Sequence, residues 1–568
     1  ATFNSTVTGT SFNGIPFYSA DTSSIYTTDV SGTDDTASGN SAYGYQAMDA
    51  ITTGDNNTAM GFGALGANTT GSPNVAVGRA ALAANTTAAN NVAVGDRALT
   101  TNTTGYSNTA LGDRALTANT TAHSNTSVGA DSLAANTTGS SNTAVGLSAL
   151  LANTTGTRNI AIGANAYDAS DTENDNIAIG YNAMTTNTAG GTENTAIGNN
   201  ALDALTSGDQ NTAVGLNAQS GVTSGGNNTA VGRSSLFVNS TGSDNTAVGR
   251  NALNQNTTAS NNTAVGSSAL DANTEGHSNT AVGQDAGKAI TTGDENTALG
   301  HGALDGCTTA SGNTAIGTDT MGNDITGSYN TAVGYNAMLT ATGVTGTTAI
   351  GNQSLDALTT GDNNTAVGAG SLGLTTTGHS NVAVGWNALT ANTDGPGNVA
   401  IGISALVANT TGGNNVAIGI RALDANTTAG GNVAIGHDAL GVNTTGESNV
   451  ACGYNSMDAH QSGNNNAAWG AHSLGASTTG ANNTGIGFAA GGSVTSGANN
   501  LFLGNQAGND FVQVTTESNH IVLGNGSTSN AYIQVDWTVQ SDERDKMNFD
   551  EVPHGLSFVN DLKPIKFD

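Results

Sequence analysis

A five-membered phrase (Asn, then Thr or Val, Ala, an aliphatic residue and Gly) returns at every seventeenth position through almost the whole chain. Anchored on its closing glycine, the copies run from Gly44 to Gly504: Gly44 to Gly180 covers eight whole periods and Gly198 to Gly504 eighteen. Only the step from Gly180 to Gly198 is one residue longer. Twenty-eight copies holding one register with a single inserted residue do not suit an enzyme-like globule with loops of varied length. They predict a one-dimensional stack in which each repeat touches its neighbours.

Numbered from its Asn, the repeat reads N-[T/V]-A-[V/I/L]-G-x-x-A-L-x-A-N-T-T-G-x-[S/N], as in residues 74–90 and 142–158. The first patch alternates small and larger side chains, a period-two signal that ends on glycine, and Asn-Thr-Thr-Gly marks a turn. Such a repeat is too short for two helices and their connections. It suits one coil of a β-solenoid with two strands of about five residues each. The larger residues of the first patch (Val77, Val94, Leu111, Val128) and the leucines of the second (Leu82, Leu99, Leu116, Leu133) are expected to stack on their equivalents, with Ala76, Ala93 and Ala110 on the opposite face. One face fills the coil and the other is free to meet a partner; the sequence leaves open which is which. Two aliphatic side chains per coil fall far short of the entropy of ordering its backbone, so a lone coil cannot fold. Twenty-eight coils at ~4.8 Å give a rod of roughly 130 Å.

Composition agrees with thin, distributed burial: 36% of residues are apolar, 4% are aromatic and 79 are glycine, too few bulky side chains for ordinary cores. The formal charge of −30 argues against nucleic acid or an anionic membrane as a partner. No stretch reaches the ~20 apolar residues that span a bilayer, and Ala1-Thr2-Phe3-Asn4 does not read as a leader, so a soluble chain is expected. Cys452 stands where other copies carry Val or Ile, which predicts a buried thiol, and Cys307 falls in a turn. About eight coils separate them, roughly 38 Å, so a solenoid forbids an intrachain disulfide.

Histidines invite a metal reading, yet His123, His277 and His379 share one turn position and His301 and His437 another, as expected of stacked turn residues facing water. Gly-Asp-Asn-Asn at 54–57 and 361–364 lacks calcium-loop spacing and reads as a solvated acidic face. No metal or cofactor is expected. The Thr pair beside Gly is often broken, as at Thr188-Ala189-Gly190, which weakens an ice-binding reading. Catalysis on carbohydrate needs paired carboxylates in a groove, and the array has no insertion large enough to house one, so no enzyme acting on a substrate is expected.

Two resemblances sharpen this reading. Asn-Thr-Ala-Val-Gly-Leu-Ser-Ala-Leu at 142–150 resembles the head repeats of trimeric bacterial autotransporter adhesins, although the present repeat is longer; that resemblance implies a parallel β-roll wound as an intertwined homotrimer. Ser541-Asp542-Glu543-Arg544-Asp545-Lys546, followed by Gly555-Leu556, Phe558-Val559 and Leu562-Lys563-Pro564, resembles the opening of the endosialidase-type intramolecular chaperone of phage tail fibres and tail spikes. Residues 521–525 and 534–537 are similar to the segment that precedes this module in marine phage fibres. Composition shifts at the same place: of four lysines, Lys546, Lys563 and Lys566 all fall after Gln540. The resemblance implies self-cleavage at Ser541, with a neutral Lys546 taking the serine proton, where the complete module follows. The stretch from Ser541 to Asp568 is shorter than the family's chaperone, so no cleavage is expected in this molecule.

The expected protein is an all-β solenoid with four parts: 1–38 for virion attachment, 39–508 as the repeat-built shaft, 509–540 as a distal β tip and 541–568 as the start of a truncated chaperone. Its expected role is a structural tail fibre in the virion of a tailed phage. Its expected partners are two further copies of itself, a tail or baseplate protein at the N-terminus and a host surface glycan or protein at the tip. Phe511, Tyr532 and Trp537 are the candidate tip contacts. A bacterial trimeric surface adhesin is the alternative, and an ice-binding solenoid a more distant one.

Overall fold

The first patch of each repeat forms a strand because its β-branched residues flank an alanine and the following glycine turns the chain. In the computed structural model, which describes residues 24–27, 36–187, 190–323, 326–510 and 512–530, thirty such strands run from β1 (Ile25–Tyr26) to β30 (Ile521–Leu523). Each pairs in parallel with its successor, in register residue for residue: Thr212, Ala213 and Val214 lie against Thr229, Ala230 and Val231, and so on along one sheet. The chain is a β-solenoid with one repeat per coil, with no helix long and apolar enough to cross a membrane among the described residues. Pairing continues past both limits expected for the shaft, to β1 at one end and β30 at the other.

Each coil has one strand, typically of three residues, and not the two longer strands expected from the sequence. The second patch forms turns because its leucine takes a left-handed conformation, φ 52° at Leu82 and Leu99 and 53° at Leu116. That geometry breaks a strand and swings the leucine inward, where neighbouring coils bury it completely. The residue two positions earlier is also left-handed, and Asn, Asp, Ser and Gly, which tolerate that region, recur there, as at Asn251, Asp285 and Gly302.

The alanine face fills the coil. Ala76, Ala93 and Ala110 are fully buried, while the larger residues beside them face outward: Leu111 is 46% exposed. The interior therefore holds the strand alanine, an Ala-Leu pair and two asparagines. Cys452, expected to be a buried thiol, is half-buried on the outward side, and Cys307, expected only in a turn, is wholly buried in an asparagine column. No disulfide joins the two.

Two asparagine columns satisfy the turns from inside. In the first, the Asn262 amide N–H donates to Asn245 Oδ1 (3.0 Å), its Nδ2 donates to the Gly276 carbonyl (2.9 Å), and its Oδ1 accepts from the Asn279 amide (2.8 Å). This column runs from Asn40 to Asn500 with one substitution, Thr347, whose hydroxyl still accepts from the Asn364 amide. The second column chains side-chain amides, as where Asn256 Nδ2 donates to Asn239 Oδ1 (2.9 Å). It comes in runs, and the last members Asn153, Asn273 and Asn443 each keep a buried Oδ1 with no donor because Ser170, Ile290 and His460 follow.

The longer coil sits beside a defect in that second column. Tyr167 replaces a leucine, and its buried hydroxyl accepts from Asn176 Nδ2 (2.5 Å) and Asn187 Nδ2 (3.1 Å). The buried Glu173 carboxylate accepts from Ser170 Oγ (2.9 Å) and the Gly190 amide (3.1 Å), so the longer loop closes over a carboxylate. At the C-terminal end a single aromatic plugs the interior: Phe502 occupies the alanine site of β29 (Leu501–Leu503), beside Gly485, Gly491 and Gly508. A Cβ at Gly491 would come within 2.6 Å of the Phe502 ring, and one at Gly508 equally close.

Two substitutions test this account. The strand-ending Gly249 has φ 137°, and a methyl there would overlap the Gly266 carbonyl of the next coil. Gly249→Ala should cost about 3 kcal/mol or more, read from the denaturant midpoint. Asn262→Ala strips the Asn279 amide of its acceptor and should cost about 2–3 kcal/mol, with faster hydrogen exchange at that amide. An unchanged midpoint and unchanged exchange would contradict the ladder's role.

Candidate functional site

Alternation along each three-membered strand leaves two side chains facing outward. Parallel pairing in register turns them into two columns along the sheet. The first runs Ile25, Ser41, Thr58, Val75 and onward to Leu501 and Ile521; the second runs Tyr43, Met60, Val77 and onward to Leu503 and Leu523. No acidic or basic residue occurs in either column, although the chain carries 42 carboxylates and 12 lysines and arginines. An uncharged, largely aliphatic stripe thus extends along an acidic rod.

Charged groups are displaced to the flanks. Arg79–Asp96 (2.7 Å), Arg114–Asp131 (2.6 Å), Arg158–Asp175 (2.5 Å) and Arg421–Asp438 (2.8 Å) pair between successive coils. Exposed pairs of this kind contribute little to stability because water screens them. The position after the inward leucine, or Met457 in its place, carries Asp271, Asp305, Asp356, Asp424 and Asp458, whose carboxyls burial pushes above the usual carboxylate range. Among the described residues no three His, Cys, Asp or Glu side chains converge as a metal site.

Beside the stripe, the residue after each strand glycine adds exposed rings at both ends of the sheet. Tyr45 stacks on Phe62 (5.7 Å between centroids) near the N-terminal end. Trp386, Ile403 and Ile420 continue into a chain of rings, His437, Tyr454, His472 (one position further along, after Ala471) and Phe488, with successive centroids 5.5–5.9 Å apart. Trp469, in the second column, is 52% exposed between Cys452 and Ile486.

The candidate residues Phe511, Tyr532, Trp537, Ser541 and Lys546 lie outside the described residues. The stripe itself was not singled out from the sequence. Its signal was present in the unbroken lack of charge at the second and fourth positions of a phrase repeated through a chain of −30 charge. Of the five turn histidines expected to face water, His277, His301 and His379 are exposed and His123 and His437 are half-buried; His460, outside that reading, is fully buried in the second asparagine column. Its Nε2 donates to the Gly463 carbonyl (2.7 Å) and its Nδ1 lies 3.4 Å from Ser477 Oγ. Burial holds its pKa below the ordinary 6.5.

Comparison with protein-family models, curated proteins and solved structures found no match to this chain. The geometry is that of a continuous uncharged stripe on the outward face of the sheet.

His460 gives a pH-dependent test. Its neutral form is favoured in the folded chain, so the unfolded chain binds more protons once pH falls below about 6.5, and stability declines there. His460→Asn should flatten that decline and supply a donor to the orphaned Asn443 Oδ1. Melting temperatures of both proteins between pH 5 and 8 should diverge on the acid side, and parallel curves would refute this assignment.

Proposed function

We propose that this chain is the shaft of a homotrimeric phage tail fibre, its uncharged sheet face buried against two further copies. The observation that carries the proposal is the continuous outward stripe from Ile25 to Leu523, free of charge in a chain of −30. Thirty strands at ~4.8 Å, with two columns ~7 Å apart, present on the order of 1,000 Å² per copy, above the ~800 Å² per partner of a standard interface. A chain this rich in coils and this poor in bulky interior side chains gains the burial it lacks by closing that face. The phage setting is supported by the likeness of residues 541–564 to the tail-fibre chaperone. In that setting the rod joins a tail or baseplate protein at one end and meets a host glycan or protein at the other. Its function is mechanical reach and host attachment rather than substrate chemistry.

Cys452 supplies a native probe, because it lies in the second outward column between Ile435 and Trp469. Symmetric copies joined by this face bring their Cys452 thiols to one level. A short bifunctional thiol reagent should link copies of the wild type and of Cys307→Ser but not of Cys452→Ser, and sedimentation should give three times 55.8 kDa. A monomeric mass with no link through Cys452 would defeat the trimer. Labelled antibody against the rod, imaged on tailed particles and on bacterial envelopes, tests the setting: label confined to envelopes would favour a surface adhesin.

A further inference from the structure

The outward stripe is not uniform. From β11 (Thr195–Ile197) to β21 (Thr365–Val367) the first column is threonine in eleven successive strands, beside Val, Leu or Ile in the second. At β22 (Val382–Val384) it switches to valine, and it stays valine through β26 (Val450–Cys452), while the second column reads Val384, Ile401, Ile418, Ile435 and Cys452. Over the same coils the flanking position carries Trp386, Ile403, Ile420, His437 and Tyr454. Five coils therefore present three mostly apolar columns where the preceding eleven present a mixed one.

The two zones differ in what contact would require. Among the described residues, the hydroxyls of the first-column threonines make no hydrogen bond within the chain, so covering them demands water or a partner hydroxyl. Valine and isoleucine make no such demand. The zones differ in register as well. Eleven near-identical Thr–aliphatic strands match a second copy almost equally well when it slips by one coil, as uniform strands do. The valine zone has one best alignment, bounded by Thr365 on one side and by Ala467 and Trp469 on the other.

Resting on the proposal that copies of this chain pair through the sheet face, we propose that β22–β26 is the dry zone where those copies first lock and fix their axial register. The threonine zone closes afterwards and stays hydrated. The occupant is another copy of this chain because only a surface with the same coil period meets both columns in every coil. Along the stripe, acidic rods can approach without juxtaposing carboxylates.

The test compares matched outward substitutions in the full chain by sedimentation velocity, at a temperature where wild-type assemblies dissociate reversibly on dilution. Ile401→Thr, Ile418→Thr and Ile435→Thr together should raise the half-assembly concentration at least tenfold. Ile197→Thr, Ile316→Thr and Ile350→Thr, the same chemistry in the threonine zone, should raise it less than threefold. Thr331→Val, Thr348→Val and Thr365→Val extend the dry zone and should lower it severalfold. This third set decides the matter if circular dichroism shows that the isoleucine set has unfolded. Equal shifts from the first two sets, or no gain from the third, would overturn the zoning while leaving self-association standing. A wild-type chain that is monomeric at every soluble concentration would instead overturn the reading on which the zoning rests.

Discussion

The structure depends on a buried asparagine handing one hydrogen bond to the coil above and another to a carbonyl in its own turn. A coil this narrow has no room for water or for a second layer of side chains, so its turn amides must be satisfied from within. Asparagine does this with one side chain because it is both donor and acceptor. The same geometry repeats from Asn40 to Asn500, and each asparagine is useful only if its neighbour stands one coil away. That mutual dependence explains why a single residue inserted between Gly180 and Gly198 coincides with a local rebuilding around Tyr167 and Glu173.

Glycine sets the spacing that asparagine exploits. At the end of each strand, backbone from the next coil occupies the place of a side chain, so coils approach more closely than any Cβ would permit. Close approach leaves an interior of alanine and leucine, small enough that the larger strand residues are turned outward. A thin core and an apolar exterior are thus two aspects of one packing choice. In a monomer of this shape that choice is unfavourable, because the aliphatic stripe stays wet. It becomes favourable when other chains cover the stripe, and the exclusion of charge from its whole length is consistent with that arrangement.

Departures from the repeat are informative for the same reason. His460 puts a titratable ring into a column that otherwise needs none, and Phe502 fills with an aromatic the space left beside Gly491 and Gly508 near the C-terminal end of the stack. The switch from Thr365 to Val382 alters nothing inside the coil and changes only what the sheet offers to a neighbour.

The repeat alone determined the solenoid, its stacking of equivalent residues and the position of the coil that carries the inserted residue between Gly180 and Gly198, because a fixed period with a glycine in each copy admits little else. It also determined that the interior would be sparse, since no copy carries more than a few bulky residues. Which face of Asn-Thr-Ala-Val-Gly lies inside was decided by the tertiary structure. Ala76 and Val77 alternate equally well either way, and only the close approach of neighbouring coils makes alanine the residue that fits. The missing second strand was hidden likewise, since Ala-Leu reads as extended until the left-handed turn at Leu82 is seen. Sequence names the side chains that stack; the distance between coils decides which of them face each other across the core and which are left on the outer surface.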